Sequence, residues 1–356
     1  MKALQVFAGD HARQRLLERG LKPGDVGIIA GAAGGPKGLI LNALDRFIFG
    51  HWLPRSAQTV HLLGASIGAW RLACAALDEP EAALAQMAED YVHQRYEHAP
   101  GQQPTAQHVS DVFGAQLRLR FGGRERELLT HPRYRLHVFA SHGRGLLHRE
   151  GRWRTPAGYV AAYAANAVSR RALGAWLERV VFSDSREPMP ISLDDFPTHQ
   201  VALSAANFAP ALLASCSIPF WLKAVHDIPG APPGAYWDGG ITDYHLHLSY
   251  ASKTDGLVLY PHFQSQLVPG WFDKAWRRRH RATGALSNVV VLAPRAEWVA
   301  SLPSGKLPDR TDVKTYVSDV DGRIKAWAQG LAMGQQLADE FAEWVEQPSI
   351  AALPLA

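Results

Sequence analysis

A serine between two glycines, in the sequence Gly64-Ala65-Ser66-Ile67-Gly68, is the residue best suited to covalent chemistry. The motif follows an apolar run that is typical of a strand, and it precedes a segment whose pattern is typical of a helix. In that setting a GxSxG motif places its serine hydroxyl on a strained, exposed turn. The backbone N–H of Ser66 is expected at the helix N-terminus, where negative charge is favoured. The motif predicts a nucleophilic serine, and the alternative is a serine that only caps a helix.

A serine hydroxyl is a weak nucleophile and needs a base. A further signal is Asp238, which follows Tyr236 and Trp237 and precedes two glycines, although this pattern alone assigns it no role. The two aromatic residues are typical of a strand end, so the carboxyl group is expected at a sheet edge. Asp-Gly is also a common turn dipeptide, and a plain turn is the alternative interpretation. His262 would be the histidine of a Ser-His-Asp triad only if the fold were of another kind.

A glycine-rich loop, Gly34-Gly35-Pro36-Lys37-Gly38, precedes a helical pattern. Free backbone N–H groups in such a turn bind anions, so the loop predicts an oxyanion hole or a phosphate site. Lys37 opposes the dipole of the helix that it opens, which indicates a nearby anion. An ordinary tight turn with a solvated lysine is the alternative. The Walker A pattern is excluded, because the lysine of that pattern follows its last glycine, whereas Lys37 precedes Gly38. The GxGxxG fingerprint is incomplete in this loop.

These three motifs, together with residues 214–219 (ASCSIP), resemble the patatin-like phospholipase family in their order and spacing. That family has a GGGx[RK]G loop, then GxSxG, then ASxAxP, then DGG or DGA. The resemblance covers roughly residues 25–260. The chain departs from the pattern at Ala32 and Ala33, where the family has Asp-Gly, and at Ser217, where the family has alanine.

The resemblance implies a three-layer α/β/α fold with a mostly parallel central sheet. It also implies a Ser-Asp dyad without histidine, in which Ser66 attacks and Asp238 takes the proton. An exposed aspartate is a poor base, so partial burial is expected to raise its pKa. The residues that the resemblance assigns to the oxyanion hole are Gly34, Gly35, Lys37 and Gly38. The glycines that it assigns to support of the motifs are Gly64, Gly68, Gly239 and Gly240.

The function implied is a serine esterase or lipid acyl hydrolase that cleaves carboxylic esters through an acyl-enzyme, with a lipid or ester as substrate. No cofactor is expected. Two alternatives stay open: an acyltransferase of related fold, and a catalytically silent lipid-binding or regulatory protein. His245 and His247 next to Asp243 suggest a metal only weakly, because no third ligand is evident in register. The two cysteines form no disulfide framework.

Composition is that of a globular protein, with 47% hydrophobic and 20% charged residues in 356. The net charge of +4 is mild, so no nucleic-acid partner is expected. Residues 271–281 mix aromatic and basic side chains, which suits peripheral membrane contact; a solvated basic face and nucleic-acid binding are the alternatives. With no secretory pattern and no long apolar stretch, a cytoplasmic location is expected, with membrane contact at most peripheral.

The elements expected around the motifs are a strand at 25–30, a helix at 39–48, a strand at 59–63 and another helix. This βαβα order predicts a parallel sheet covered by helices. Residues 99–133 are polar and suggest a cap or flap. Residues 285–346 suggest a strand, a long loop and one long helix. We expect one patatin-like domain over residues 1–356, because no repeat or low-complexity linker divides the chain.

Overall fold

A computed structural model describes residues 1–99, 102–254, 256–347 and 351–355. Its centre is a sheet in which neighbouring strands follow the order β11-β1-β10-β9-β2-β3-β4-β5-β6, and β8 pairs with β4 and β7. The strands are Leu4–Ala8 (β1), Val26–Gly31 (β2), Val60–Ala65 (β3), Tyr134–Gly143 (β4), Leu177–Ser183 (β5), Thr198–Ala202 (β6), Val225–His226 (β7), Ala235–Asp238 (β8), Leu257–Pro261 (β9), Val289–Pro294 (β10) and Leu353–Pro354 (β11).

Helices flank this sheet, as the sequence predicts. The five neighbouring strands β10, β9, β2, β3 and β4 are parallel. The α-helices are Asp10–Arg19 (α1), Asn42–Phe47 (α2), Ile67–Ala75 (α3), Pro80–His93 (α4), Ala106–Phe121 (α5), Glu125–Thr130 (α6), Arg154–Val168 (α7), Arg170–Leu173 (α8), Phe208–Ser215 (α9), Gly240–Asp243 (α10), Ala296–Ala300 (α11), Thr311–Thr315 (α12), Val320–Met333 (α13) and Gln335–Glu346 (α14). The α/β fold with a mostly parallel sheet is confirmed.

Strands β3 and β9 are buried along their whole length. Parallel strands with both faces covered consist of nearly continuous apolar residues rather than alternating ones. This explains why the short apolar runs predicted strands at 25–30 and 59–63. Strand β1 was missed, because nothing in its five residues distinguishes it until its antiparallel partner β10, far away in sequence, is known.

The C-terminal third differs from the expected strand, loop and single helix. The predicted loop contains the short helices α11 and α12, and the predicted last helix is two helices, α13 and α14, that meet at Gly334. A β-carbon at Gly334 would lie 2.5 Å from the carbonyl oxygen of Ile40. The 3₁₀ helix that precedes α2 (Gly35–Leu41) therefore approaches the junction of α13 and α14 so closely that a side chain at position 334 would collide with it.

The segment expected as a cap contains helices α5 and α6; its residues 100 and 101 lie outside the described part of the chain. Helix α5 packs inward: the rings of Trp70 and Phe113 are 4.5 Å apart, and those of Phe121 and Phe208 are 5.3 Å apart. Movement of this segment as a flap stays a prediction. A 3₁₀ turn (Gly145–His148) follows β4.

Strands β3 and β8 lie end to end along the same edge of β4. Strand β3 runs parallel to β4 up to the pair Ala65 and Phe139, and β8 runs antiparallel to β4 from the pair Asp238 and Ala140. The last residue of β8 and the residue after β3 therefore face each other. This arrangement brings together two positions 172 residues apart in sequence.

A buried network of ion pairs holds the turn that follows β8. The guanidinium of Arg179, which is fully buried, contacts both carboxylate oxygens of Asp243 at 2.8 and 2.6 Å. It also donates to Asp195 at 2.8 Å. Asp243 is the last residue of α10, the single turn that begins at Gly240. The network therefore fixes α10 against β5.

Substitution Arg179→Met should lower the free energy of unfolding by about 3–5 kcal/mol, because it leaves the Asp243 carboxylate buried without its main partner. Urea unfolding followed by circular dichroism measures this. The matched control is Arg55→Met, since Arg55 and Glu346 form an ion pair of 2.7 Å in which both side chains are more than half exposed. The control should cost less than about 1 kcal/mol. Equal losses in the two variants would contradict the prediction.

Candidate active site

Ser66 occupies a strained turn between β3 and α3. Its backbone has φ 54° and ψ −129°, a conformation uncommon for a residue with a side chain. The flanking glycines make the turn possible: a β-carbon at Gly68 would lie 1.9 Å from the carbonyl oxygen of Gly31. At Gly64 it would lie 2.4 Å from the α-carbon of Ala69. The two glycines thus let strand and helix approach closely enough to hold the serine at the tip.

Substitution Gly68→Ala should destabilise the protein by about 3 kcal/mol or more and abolish activity, because the obstructing atoms are backbone of the neighbouring strand and cannot move aside cheaply. Thermal unfolding and the yield of soluble protein measure the effect. Gly284→Ala is the matched control, since a β-carbon there meets no atom within 4 Å. A Gly68→Ala protein as stable as the Gly284→Ala protein would refute this account of the motif.

The Ser66 hydroxyl donates a hydrogen bond of 2.6 Å to Oδ2 of Asp238. The other carboxylate oxygen, Oδ1, accepts the backbone N–H of Gly240 at 2.7 Å. Both side chains are buried. Burial raises the pKa of Asp238 above its ordinary value, against the opposing effects of the Ser66 hydrogen bond and of the positive charge of Arg310. The structure thus brings the two residues that the sequence singled out within hydrogen-bond distance of each other.

Residues 214–219 anchor both members of this pair. The Ser215 hydroxyl accepts the Ser66 N–H at 2.8 Å and donates to the carbonyl of Phe139 at 2.6 Å. The carbonyl of Ser217 accepts the N–H of Asp238 at 2.9 Å, and that of Ser215 accepts the N–H of Gly239 at 3.1 Å. The anchoring hydroxyl of Ser215 was missed, although its motif was recognised. The Ser66 N–H, expected to face a negative charge, is instead occupied by Ser215.

The glycine-rich loop supplies free N–H groups beside Ser66. Gly35 begins a 3₁₀ helix (Gly35–Leu41) and has φ +57°, which favours glycine. The N–H groups of Gly34 and Gly35 precede its first i→i+3 bond, and neither has a hydrogen-bond acceptor among the described residues. Both residues line the same cavity as Ser66 and Asp238. They are thus the loop donors best placed for an anion at Ser66.

The other two loop residues of interest lie further from the dyad. Gly38 is within the 3₁₀ helix, and a β-carbon there would lie 3.1 Å from Cγ1 of Ile67. The ammonium of Lys37 lies 5.6 Å from the centroid of the Phe263 ring. Burial lowers the pKa of Lys37, while the carboxylate of Asp309 opposes the shift. Lys37 therefore lies beside the loop as a half-buried cation rather than as a donor in it.

Two cavities meet at Ser66. One is apolar and aromatic, has a volume of about 50 Å³, and is lined by Tyr91, Tyr96, Phe113, Trp221, Trp327 and others. It shares Tyr96, Trp221 and Val313 with a further cavity of about 200 Å³. The second cavity at Ser66 is small and polar, with a volume of about 10 Å³, and is lined by the glycine loop, Asp238, Tyr244, Trp271 and Arg310.

Two of the histidines considered from sequence, His245 and His262, are buried and pack against each other rather than lining the cavities at Ser66. His262 contacts His245 with ring centroids 4.4 Å apart, and burial lowers its pKa to about 3. Residues 245–247 are not a strand, and Leu246 between the two histidines has φ 42°. The part of the chain described here contains no cluster of three or more His, Cys, Asp or Glu side chains that could hold a metal ion.

Lys274 and Arg310, which the sequence did not single out as site residues, also approach the dyad. Both act electrostatically on the Asp238 carboxyl group. No local signal marks Arg310, because it comes from the segment predicted as a loop. Lys274 lies in the basic segment 271–281, but nothing in the sequence shows that its ammonium turns toward the site.

Comparison with known proteins gives one match. The family model described as Patatin-like phospholipase matches residues 33–245, which is more than half of the chain. The matched range includes the whole glycine loop, residues 34–38, together with Ser66 and Asp238. A search of curated protein sequences finds no match. Within the described residues, no helix combines the length and apolar character needed to cross a bilayer.

Proposed function

Because this chain belongs to the patatin-like phospholipase family, whose members are lipid acyl hydrolases, we propose that it hydrolyses carboxylic esters of lipids through a dyad of Ser66 and Asp238. The observation that carries the proposal is the 2.6 Å hydrogen bond from the hydroxyl of Ser66 to the carboxylate of Asp238. A strained nucleophile, a buried base and unpaired N–H groups in one cavity are the components that acyl transfer requires.

In the proposed reaction, Ser66 Oγ attacks the ester carbonyl carbon while its proton moves to Asp238 Oδ2. The carbonyl oxygen becomes an oxyanion, which the N–H groups of Gly34 and Gly35 stabilise; each such donor contributes about 2.7–4 kcal/mol in other enzymes. Asp238 returns the proton to the departing alcohol, which leaves an acyl-Ser66. Asp238 then takes a proton from water as the resulting hydroxide attacks the acyl group, and it returns that proton to Ser66 Oγ when the carboxylic acid is released, which regenerates both residues.

The raised pKa of Asp238 matches this role, since a base with a pKa closer to neutrality accepts a proton more readily. A carboxyl dyad contains no imidazolium to protonate a poor leaving amine. Esters, whose alcohols leave more easily, are therefore the proposed substrates. The acyl chain would occupy the aromatic cavity that begins at Ser66 and continues past Tyr96 and Trp221.

Hydrolysis of a p-nitrophenyl ester series, from acetate to long acyl chains, tests the proposal directly. The apolar wall beside Ser66 should raise kcat/KM by up to about fourfold per methylene until the cavity is filled. A fluorophosphonate should add one adduct to the protein, located at Ser66 by peptide mass spectrometry. An inert wild-type protein without an adduct would contradict the proposal and favour a silent lipid-binding protein.

Peripheral membrane contact is the second part of this proposal, because an apolar surface borders the mouth of the site. Helix α7 exposes Val160 (71%) and Tyr163 (47%), and Phe220 next to cavity residue Pro219 is 61% exposed. The ring of Tyr163 contacts Phe272, which stacks on the cavity residue Trp271. Basic residues surround this surface and would suit anionic lipid headgroups. Those that are exposed nearby are Arg152, Arg154, Arg171, Arg277, Arg278 and Arg281.

Substitution Val160→Glu should weaken binding to vesicles of phosphatidylcholine and phosphatidylglycerol several-fold, because it places a negative charge in the apolar surface. Co-sedimentation with the vesicles measures binding. The matched control, Leu17→Glu, alters a residue that is 82% exposed on α1, a helix packed near strand β10. Loss of binding in both variants, or in neither, would argue against this surface.

A further inference from the structure

A group of positive side chains around the dyad is not used by the proposed mechanism. Arg310 lies across the glycine loop, with its Nε 3.7 Å from the position that a β-carbon of Gly35 would take. It lines both cavities at Ser66. The ammonium of Lys274 lies 4.0 Å from the centroid of the Tyr244 ring, and Tyr244 lines the polar cavity. Two cations from distant segments therefore converge on the polar side of Ser66.

These cations lack carboxylate partners. Among residues 1–99, 102–254, 256–347 and 351–355, no carboxylate lies within 4.0 Å of the charged nitrogens of Arg310, Lys274 or Lys37. The neighbouring acid Asp309 is instead 2.9 Å from the ammonium of Lys306. Although Lys274 is an exposed residue, desolvation of its ammonium by the surrounding protein, followed by the like charges of Arg310 and Lys37, lowers its pKa to about 7. The positive charges thus repel one another beside the buried carboxyl group of Asp238.

We propose that Arg310 and Lys274, with Lys37 beside them, bind an anionic group of the substrate, namely a phosphate on the alcohol side of the scissile ester. The inference rests on the proposed function, because it places that ester at Ser66. The apolar cavity suits the acyl chain of the substrate. The alcohol part of the ester would therefore occupy the polar cavity. A guanidinium and an ammonium are the donors that bind phosphate most strongly in proteins. Both residues lie outside the range matched by the family model, 33–245.

Two matched substrates test this subsite: 1-butyrylglycerol 3-phosphate and 1-butyrylglycerol, which differ only in the phosphate. The wild-type protein should prefer the phosphate ester in kcat/KM by about 10- to 100-fold, and Arg310→Gln and Lys274→Gln should each remove most of that preference. The ratio between substrates is the readout because any effect of Arg310 on the Asp238 pKa acts on both equally. Lys325→Gln, on the exposed side of α13, is the control for loss of one charge and should keep the ratio.

Binding provides a readout that needs no catalysis. Titration calorimetry of 1-butyrylglycerol 3-phosphate into the Ser66→Ala protein should show binding that the added Arg310→Gln change weakens at least tenfold. If the wild-type protein hydrolyses neither substrate but this Arg310-dependent binding persists, the proposed function fails and the anion subsite stands. Competition by inorganic phosphate distinguishes a site for a lipid phosphate group from a site for free phosphate. Inhibition through Arg310 without any substrate preference would support a site for free phosphate rather than for a lipid headgroup.

Two results would overturn the proposal. Equal hydrolysis of both substrates by the wild-type protein, with no inhibition by inorganic phosphate, would show that the cations recognise no anion. An Arg310→Gln protein that loses activity equally on both substrates, with unchanged binding of the phosphate ester, would instead make Arg310 a support of the glycine loop over which it lies.

Discussion

Substitution Ser66→Ala should lower kcat for p-nitrophenyl butyrate on the order of 10⁴-fold or more while the protein stays folded. Removal of the nucleophile leaves only the oxyanion donors and substrate binding, which in other serine hydrolases retain a small residual rate. Alanine at this position keeps the strained backbone conformation with φ 54°. The stability of the folded protein should therefore change little. The rate of p-nitrophenol release and a thermal unfolding curve measure the two effects.

The matched control is Ser217→Ala, a change of the same type in the segment that anchors Asp238. The Ser217 hydroxyl donates to the carbonyl of Leu213, while the anchor for Asp238 is the backbone carbonyl of Ser217. The control should therefore keep its rate within a few-fold. If Ser66→Ala retains the wild-type rate, the nucleophile is another residue. If acyl-Ser66 forms and transfers its acyl group to an added alcohol in preference to water, the result would favour the acyltransferase alternative.

Substitution Asp238→Asn should lower kcat by about 10²–10⁴-fold, the usual contribution of a general base. The amide can still accept the N–H of Gly240, so the turn after β8 should keep its geometry. The test is the pH profile of kcat/KM together with the rate. In the wild-type protein activity should fall as pH decreases through the raised pKa of Asp238, because the base must be unprotonated. The residual activity of Asp238→Asn should lack that fall.

The same change should stabilise the fold at neutral pH. A carboxyl group whose pKa is raised by burial favours the folded state only while it is protonated, and this contribution is lost as pH rises through the folded-state pKa. Asparagine carries no charge, so Asp238→Asn should unfold at a higher temperature than the wild type near pH 7. Below the unfolded-state pKa the advantage should vanish.

An unaltered rate in Asp238→Asn would exclude the dyad and require another base. The first to examine would be His262, although burial lowers its pKa to about 3 and the structure packs it against His245. Substitution His262→Ala gives the answer, since a dyad enzyme that remains folded should tolerate it. A lower unfolding temperature for Asp238→Asn at pH 7 would show that its hydrogen bonds outweigh the cost of the buried charge.

The motifs that carry the proposed chemistry could be read from the sequence because each is a local backbone requirement. Gly64 and Gly68 are needed wherever a strand and a helix meet at Ser66, and the β-carbon distances at both glycines show why. The parallel sheet was predictable for a similar reason, since strands covered on both faces must be apolar along their length. The close contact at Gly64 is with Ala69 in the same turn, whereas the one at Gly68 is with Gly31 on the adjacent strand, so the motif is local although one of the reasons for it is not.

Other features depended on contacts between distant segments. The pairing of Ser66 with Asp238 follows from β3 and β8 lying end to end on β4, and the sequence could suggest this only through the family resemblance. The anchoring by Ser215, the convergence of Arg310 and Lys274, and the split of the last helix at Gly334 were not predicted. Each arises where a side chain or backbone meets a segment remote in sequence. Local patterns thus determined the elements and the reactive residue types, whereas tertiary packing alone decided which side chains and charges surround them.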